Sequence, residues 1–140
     1  MKTLVRPVRA RRGPGLSLWS LRITVTVYLV MVLAQPVLAG LFLTGNVDAI
    51  AVHGVVGSTL SALGLVLVAA TAVYLVRRGR LWVLPAVVLL FLAAGLQTGL
   101  GYSRVLQVHI PLGVAVTTAT VVLAVWVWSP SAARPRGGAR

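Results

Sequence analysis

Apolar residues in this chain fall into four long runs that short polar segments separate. The runs cover residues 22–43, 50–76, 82–101 and 107–128, and none has a charge in its interior. A helix that crosses the hydrocarbon core of a bilayer needs about 20 predominantly apolar residues, and each run reaches that length. The pattern therefore predicts an all-α integral membrane protein, and the short connections favour an up-down four-helix bundle.

Basic residues are distributed unevenly around these runs. Of the 13 basic residues, six stand at or before the start of the first run, three lie between the second and third, and three lie in the C-terminal tail. The other two connections together hold only Arg104. By the positive-inside rule, both termini and the middle connection are expected to be cytoplasmic. The predicted location is a bacterial-type cytoplasmic membrane, crossed several times. The same ends of the runs hold the tryptophans, as interfacial anchors should: Trp19, Trp82, Trp126 and Trp128.

This pattern divides the chain into a basic cytoplasmic tail over residues 1–21, a transmembrane bundle over 22–128 and a disordered cytoplasmic tail over 129–140. The last segment is rich in Pro, Gly and Arg and has little apolar surface to bury. Residues 37–39 before Gly40 resemble a signal-peptidase site. Because the apolar run continues to Leu43, we expect the first run to be retained as a full span.

Composition excludes several functional classes. The chain is 59% hydrophobic and only 10% charged, which is typical of a membrane protein. Its net charge of +12 does not predict a nucleic-acid partner, because the basic residues flank apolar runs. Cysteine and glutamate are absent and Asp48 is the only acid, which excludes disulfides, iron–sulfur ligation and catalysis by a carboxylate pair.

Two histidines stand out because an imidazole in hydrocarbon is costly without a partner. His53 and His109 each lie near the start of an even-numbered run, and each is followed by glycine four residues later. Small or hydroxylated residues continue both stripes at helical spacing, and such stripes are expected to face other helices. The two stripes are His53, Gly57, Ser61 and Gly64, and His109, Gly113, Thr117 and Thr120.

A matched pair of histidines at one depth predicts the two axial ligands of a single haem b. Helices two and four are diagonal in an up-down bundle, and their axes are about 13 Å apart. Two inward-facing imidazoles then leave room for one iron atom between them. Gly57 and Gly113, one turn below the ligands, would remove side chains that strike a flat macrocycle.

Three further residues complete the predicted cofactor site. Gln35 and Gln97 occur towards the outer ends of runs one and three and are candidates to orient the imidazoles by hydrogen bonding. Arg104 is the only cation available to haem propionates at the outer boundary. Zinc and copper fit less well because zinc sites usually have three or four protein ligands. In a purely structural alternative, each histidine bonds only a backbone carbonyl or the opposite glutamine.

The pattern of Gln97 to Gly101 followed by His109 and Gly113 resembles one four-helix half of the haem A synthase family. The series Gln35, Gly40, His53 and Gly57 is similar to the matching first pair of helices, so the resemblance covers about residues 28–128. Small bacterial four-helix membrane proteins of unknown function look similar too. The resemblance implies a haem-holding bundle with its ligands on helices two and four. The family has an acid and an arginine beside the histidine of helix two, and both are missing around His53.

These patterns predict a bis-histidine haem protein that transfers electrons or handles haem at the outer face, without haem A synthase-type catalysis. Its expected partners are the lipid bilayer and a redox partner or larger membrane complex. The alternative is a haem-free accessory or scaffold subunit, which the short loops and many small residues favour. A small transporter or channel subunit is a third hypothesis, weakened by the lack of intramembrane charge.

Overall fold

A computed structural model describes residues 15–77, 79–134 and 136, and it confirms the all-α prediction. Within that part of the chain there are four α-helices and one short 3-10 turn over Pro130–Ala133, with no strand. Each helix is long and apolar enough to cross a membrane, as expected of a multi-pass membrane protein. The helices are α1 (Leu16–Leu43), α2 (Asp48–Val76), α3 (Val83–Tyr102) and α4 (Leu106–Trp128).

The four helices pack as a ring. Each helix contacts the next one along the chain, and α1 also packs against α4, so α2 and α4 lie on a diagonal. We call the end where α2 and α4 begin the histidine end, because His53 and His109 meet there. The opposite end is the tryptophan end, where Trp19 contacts Trp128 and Trp82 contacts Trp126.

The residues of the two histidine stripes are buried or half-buried in the bundle, as the stripes predict. Thr120 is fully buried and satisfies its hydroxyl by donating to the Val116 carbonyl one turn earlier. A Cβ atom at Gly64 would lie only 2.7 Å from the Phe91 ring, so glycine is what lets α3 pack closely there. Large apolar side chains cover much of the outer surface, where lipid replaces water.

The first helix begins earlier than its apolar run predicts. It starts at Leu16, so residues 16–21 of the predicted tail are helical and Arg22 lies inside the helix. The arginine is buried: its Nε donates to the Val127 carbonyl at 3.1 Å, and its Cζ lies 5.2 and 4.9 Å from the ring centres of Trp19 and Trp128. Cation–π contacts and the carbonyl stabilise a charge that would otherwise end the span. Residues 1–14 of that tail lie outside the described residues.

The segment after α4 also differs from the predicted disordered tail. Pro130–Ala133 form a 3-10 turn, and Ala132 is buried. Tyr74 holds this turn against the bundle because its hydroxyl donates to the Ala132 carbonyl at 2.9 Å. The missed signal is the pair of alanines after Pro130, which can pack against an aromatic ring. Residues 135 and 137–140 of this tail lie outside the described part of the chain.

Candidate functional site at the histidine end

A cavity of about 210 Å³ lies inside the bundle at the histidine end, with residues of all four helices in its wall. It brings together six of the seven residues that the sequence singles out. Those six are Gln35, His53, Gly57, Gln97, His109 and Gly113. The remaining one, Arg104, is exposed in the connection between α3 and α4, has a positive φ of 56° and does not line the cavity.

The two imidazoles face each other across this cavity. Their ring centroids are 6.2 Å apart, and the ring planes make an angle of 60°. Two imidazoles bonded to one metal atom have centroids about 6.3 Å apart, since each metal–nitrogen bond is about 2.0 Å and each centroid lies about 1.1 Å beyond its nitrogen. The observed separation of the centroids is therefore close to the value for two imidazoles bonded to opposite sides of one metal atom.

The hydrogen bonds of the Nδ1 atoms determine which nitrogen each imidazole offers to the cavity. The His53 Nδ1 lies 3.2 Å from the Gln35 carbonyl oxygen, and the His109 Nδ1 lies 2.9 Å from the Gln97 carbonyl oxygen. A carbonyl oxygen only accepts, so each Nδ1 carries the proton and each Nε2 is an unprotonated acceptor. This tautomer, held by a carbonyl on the opposite side of the ring, is the usual form of a metal-binding histidine.

A glycine in α3 makes one of these bonds possible. Gly101 lies one helical turn after Gln97, and the His109 ring packs directly against it. A Cβ atom at Gly101 would lie 2.9 Å from the His109 Cε1 and 3.2 Å from its Nδ1. Any larger residue would push the imidazole away from the Gln97 carbonyl, because so short a contact is repulsive.

Gln35 and Gln97 both contact the imidazoles, but the bonds to the Nδ1 atoms are made by main-chain carbonyls and not by side-chain amides. Main-chain carbonyls of Gln35 and Gln97 orient the imidazoles, while the two side-chain amides make different contacts. The Gln35 amide donates to the His53 carbonyl oxygen at 3.4 Å. The Gln97 amide nitrogen lies 3.4 Å from the His109 Nε2, and its own Oε1 is buried without a hydrogen-bond partner among the described residues.

The two glycines that follow the histidines differ in their surroundings. At Gly57, a Cβ atom would meet only the Thr98 hydroxyl at 4.0 Å, so there is space beside this glycine. At Gly113, a Cβ atom would lie 2.7 Å from the Gln97 amide nitrogen, which occupies the space that the glycine leaves. A flat ligand between the imidazoles would therefore meet no side chain at Gly57, whereas beside Gly113 the Gln97 amide would have to move.

Sequence reasoning missed three polar residues that line the cavity. Tyr28 is fully buried, and its hydroxyl has no hydrogen-bond partner in the described part of the chain. The hydroxyl of Thr98 in α3 lies 3.1 Å from that of Ser61, and the hydroxyl of Tyr102 lies 3.1 Å from that of Ser58. These hydrogen bonds connect α3 to α2. A tyrosine within an apolar run is the available signal for Tyr28, because its hydroxyl needs a partner when buried.

The donor set limits which metals the site could hold. Among the described residues, no group of three or more His, Cys, Asp or Glu side chains could hold a metal ion. Two imidazole nitrogens are fewer protein ligands than structural or catalytic zinc sites use. They equal the number that a haem iron needs in addition to its macrocycle.

No protein-family model, curated protein or solved structure matches this chain. The resemblance to a four-helix half of the haem A synthase family therefore stays a prediction from sequence.

Proposed function

We propose that this protein is a membrane-embedded haem b-binding protein in which His53 and His109 are the two axial ligands of one iron. The observation that carries this proposal is the 6.2 Å separation of the two ring centroids. Separation alone would not favour a ligand pair if the Nε2 atoms were protonated. Both Nδ1 atoms contact carbonyls, however, so both Nε2 atoms are unprotonated. The Nε2 lone pair of His53 is open, whereas the Gln97 amide would have to leave that of His109.

The residues of this chain would hold the cofactor and determine its surroundings. Haem supplies one-electron redox chemistry when bound. The Gln35 and Gln97 carbonyls keep the imidazoles in the ligating tautomer and orientation. Apolar wall residues such as Val32 and Leu60 exclude water and lower the local dielectric, which tunes the potential of a buried redox centre. This arrangement supports electron transfer or haem handling, since the wall offers no carboxylate for acid–base catalysis.

The proposed topology is an up-down bundle with both termini on the cytoplasmic side of a bacterial-type membrane. Its support is the distribution of basic residues, together with the clustering of Trp19, Trp82, Trp126 and Trp128 at one end. The histidine end would then lie towards the outer face. A redox partner or a larger membrane complex would meet the protein there.

A haem-free accessory subunit is a second candidate, and one contact favours it. The Gln97 amide satisfies the His109 Nε2 within the bundle, as expected if that histidine has only a structural role. The His53 Nε2 has no such partner among the described residues, so the structural role accounts for only one of the two imidazoles.

Absorption spectroscopy separates these two functions. Protein purified in detergent from haem-replete cells should show the reduced spectrum of six-coordinate haem b, with one haem per chain. His53→Ala and His109→Ala should each abolish the six-coordinate spectrum. Gln107→Ala is the matched control because Gln107 is exposed on α4, two residues from His109, and does not line the cavity. Colourless wild-type protein, or spectra unchanged in both histidine variants, would contradict the proposal.

A further inference from the structure

The two halves of the bundle present equivalent histidines with different surroundings. His53 and His109 have the same Nδ1 contact, each with the carbonyl of a glutamine on a neighbouring helix. Their Nε2 atoms differ, because only that of His109 lies within hydrogen-bond distance of a side-chain amide. The Nε2 of His53 is thus open to a ligand, whereas the Nε2 of His109 is covered by the Gln97 amide.

The orientation of the Gln97 amide follows from the tautomer of His109. Because the His109 Nδ1 donates to a carbonyl, its Nε2 can only accept. The group that faces this nitrogen at 3.4 Å must therefore be the NH₂ of Gln97, which leaves its Oε1 pointing elsewhere. That oxygen is buried without a partner in the described residues, so the amide keeps this position at the expense of its own acceptor.

The amide also occupies space that a ligand would need. It fills the gap beside Gly113, where a Cβ atom would lie 2.7 Å from its nitrogen. The equivalent amide of Gln35 lies against the His53 main chain and leaves the gap beside Gly57 open. A metal bound at the His109 Nε2 and the Gln97 amide exclude each other, because both use the same lone pair.

We propose that Gln97 gates the site: its amide competes with the metal for the His109 Nε2, so His53 binds first and His109 second. This inference depends on the proposed haem-binding function and adds an order of ligation to it. Gln97 is a positioning residue in this scheme, since it acts through His109. When His109 is not ligating, both of its nitrogens are hydrogen-bonded to Gln97, whereas the Nε2 of an unligated His53 has no hydrogen-bond partner among the described residues.

Single-histidine variants test the competition directly by titration of the haem-free protein with haemin. His109→Ala retains the open imidazole and should bind haemin more tightly than His53→Ala, which retains the covered one. One hydrogen bond between neutral groups corresponds to a difference of about two- to tenfold in affinity. Adding Gln97→Leu to His53→Ala should remove that difference. Adding Gln107→Leu to His53→Ala is the control and should leave the difference unchanged, because Gln107 is exposed and does not line the cavity.

A second readout uses the chain with both histidines. On mixing with haemin, wild-type protein should pass through a five-coordinate, high-spin species before the six-coordinate spectrum develops. Gln97→Leu, or Gln97→Met if the leucine variant does not fold, should shorten the lifetime of that species about two- to tenfold. Gln107→Leu, a change outside the cavity, should not shorten that lifetime. A loss of packing alone would not selectively accelerate the second ligation step.

The outcomes distinguish this inference from the proposed function. Wild-type protein that binds no haemin overturns the proposed function, and the order of ligation with it. Haemin binding with equal affinities in the two single-histidine variants overturns the order of ligation alone. If neither single-histidine variant binds haemin, the test is the lifetime of the five-coordinate species in the chain with both histidines. Equal lifetimes in wild type and Gln97→Leu overturn the gating.

Discussion

The two ends of this bundle differ in whether their buried polar groups are hydrogen-bonded. At the tryptophan end, the Arg22 guanidinium bonds a carbonyl and lies over two indole rings, and the Tyr74 hydroxyl donates to the Ala132 carbonyl. In the cavity that opens from the histidine end, the Tyr28 hydroxyl and the Gln97 Oε1 have no partners among the described residues. One end is closed by aromatic rings, while the other encloses about 210 Å³ of space.

This difference indicates which end has a function beyond packing. Most buried polar groups in folded proteins are hydrogen-bonded, so unpartnered ones clustered around a cavity indicate a missing partner. At the tryptophan end, packing and hydrogen bonding explain each buried polar group. At the histidine end, the Tyr28 hydroxyl, the Gln97 Oε1 and the His53 Nε2 belong to residues of one cavity wall and have no hydrogen-bond partner among the described residues.

The largest expected effect comes from closing the gap behind His109. In Gly101→Ala, the new Cβ atom would lie 2.9 Å from the His109 Cε1, which forces the ring off the Gln97 carbonyl. Loss of such an orienting hydrogen bond typically costs about 10- to 100-fold in metal affinity, and we expect haem affinity to fall by that factor. The measurement is a haemin titration followed by the six-coordinate absorbance.

Gly99→Ala is the control for that substitution. Gly99 lies in the same turn of α3, and a Cβ atom there meets nothing within 4 Å. This variant should retain wild-type haem affinity. Equal loss in both variants would mean that helix flexibility, and not the contact with His109, determines binding.

At the tryptophan end, we expect changes in stability without changes in cofactor binding. Arg22→Gln removes a charged hydrogen bond to Val127 and two cation–π contacts, which should lower the free energy of unfolding by about 2 kcal/mol. Tryptophan fluorescence during denaturation in detergent measures this directly, because two of the four indoles lie beside the guanidinium.

Arg77→Gln is the matched control for Arg22→Gln. Arg77 is exposed just after α2, and such surface substitutions usually change stability by less than about 0.5 kcal/mol. If both variants lost the same stability, net charge would explain the effect. If Arg22→Gln also abolished haem binding in folded protein, the contrast between the two ends would be wrong.

Hydropathy predicts the four helices of this chain well. It places the start of α1 too late, because it counts Arg22 as a boundary and ignores the aromatic rings that stabilise it. The four apolar runs correspond to α1–α4 because hydrocarbon requires continuous helices of spanning length. The start of α1 is earlier than predicted because Arg22 behaves as a boundary in a hydropathy pattern. In the structure its long side chain reaches Trp19, one turn earlier on α1, and also the Val127 carbonyl and the Trp128 indole of α4, which only the folded bundle brings close.

The candidate site shows the same division between what helical spacing determines and what tertiary packing adds. The histidines and their glycines could be placed on one face from residue spacing, because 3.6 residues per turn determines it. The carbonyls that orient the imidazoles carry no sequence signature, since every residue has one. Likewise, the different positions of the Gln35 and Gln97 amides depend on space beside Gly57 and Gly113 that only packing creates.

The smallest expected effect is on the free energy of unfolding when each of two buried tyrosines is replaced by phenylalanine. Tyr74→Phe removes a hydroxyl that donates to the Ala132 carbonyl at 2.9 Å and accepts from the Arg80 amide at 3.4 Å. Unfolding free energy should fall by about 1 kcal/mol, because the carbonyl loses its side-chain partner. Tyr28→Phe removes a hydroxyl without a partner in the described residues, so haem-free protein should be unchanged or slightly more stable.

Thermal unfolding of both phenylalanine variants in the same detergent tests this contrast, with haem-free wild type as the reference. Each ring stays in place, so packing is conserved and only the hydroxyl differs. A loss of about 1 kcal/mol in Tyr28→Phe would mean that its hydroxyl already has a partner, such as a bound water. The cavity would then be filled in the haem-free protein, and the contrast between a satisfied end and an unsatisfied end would no longer hold.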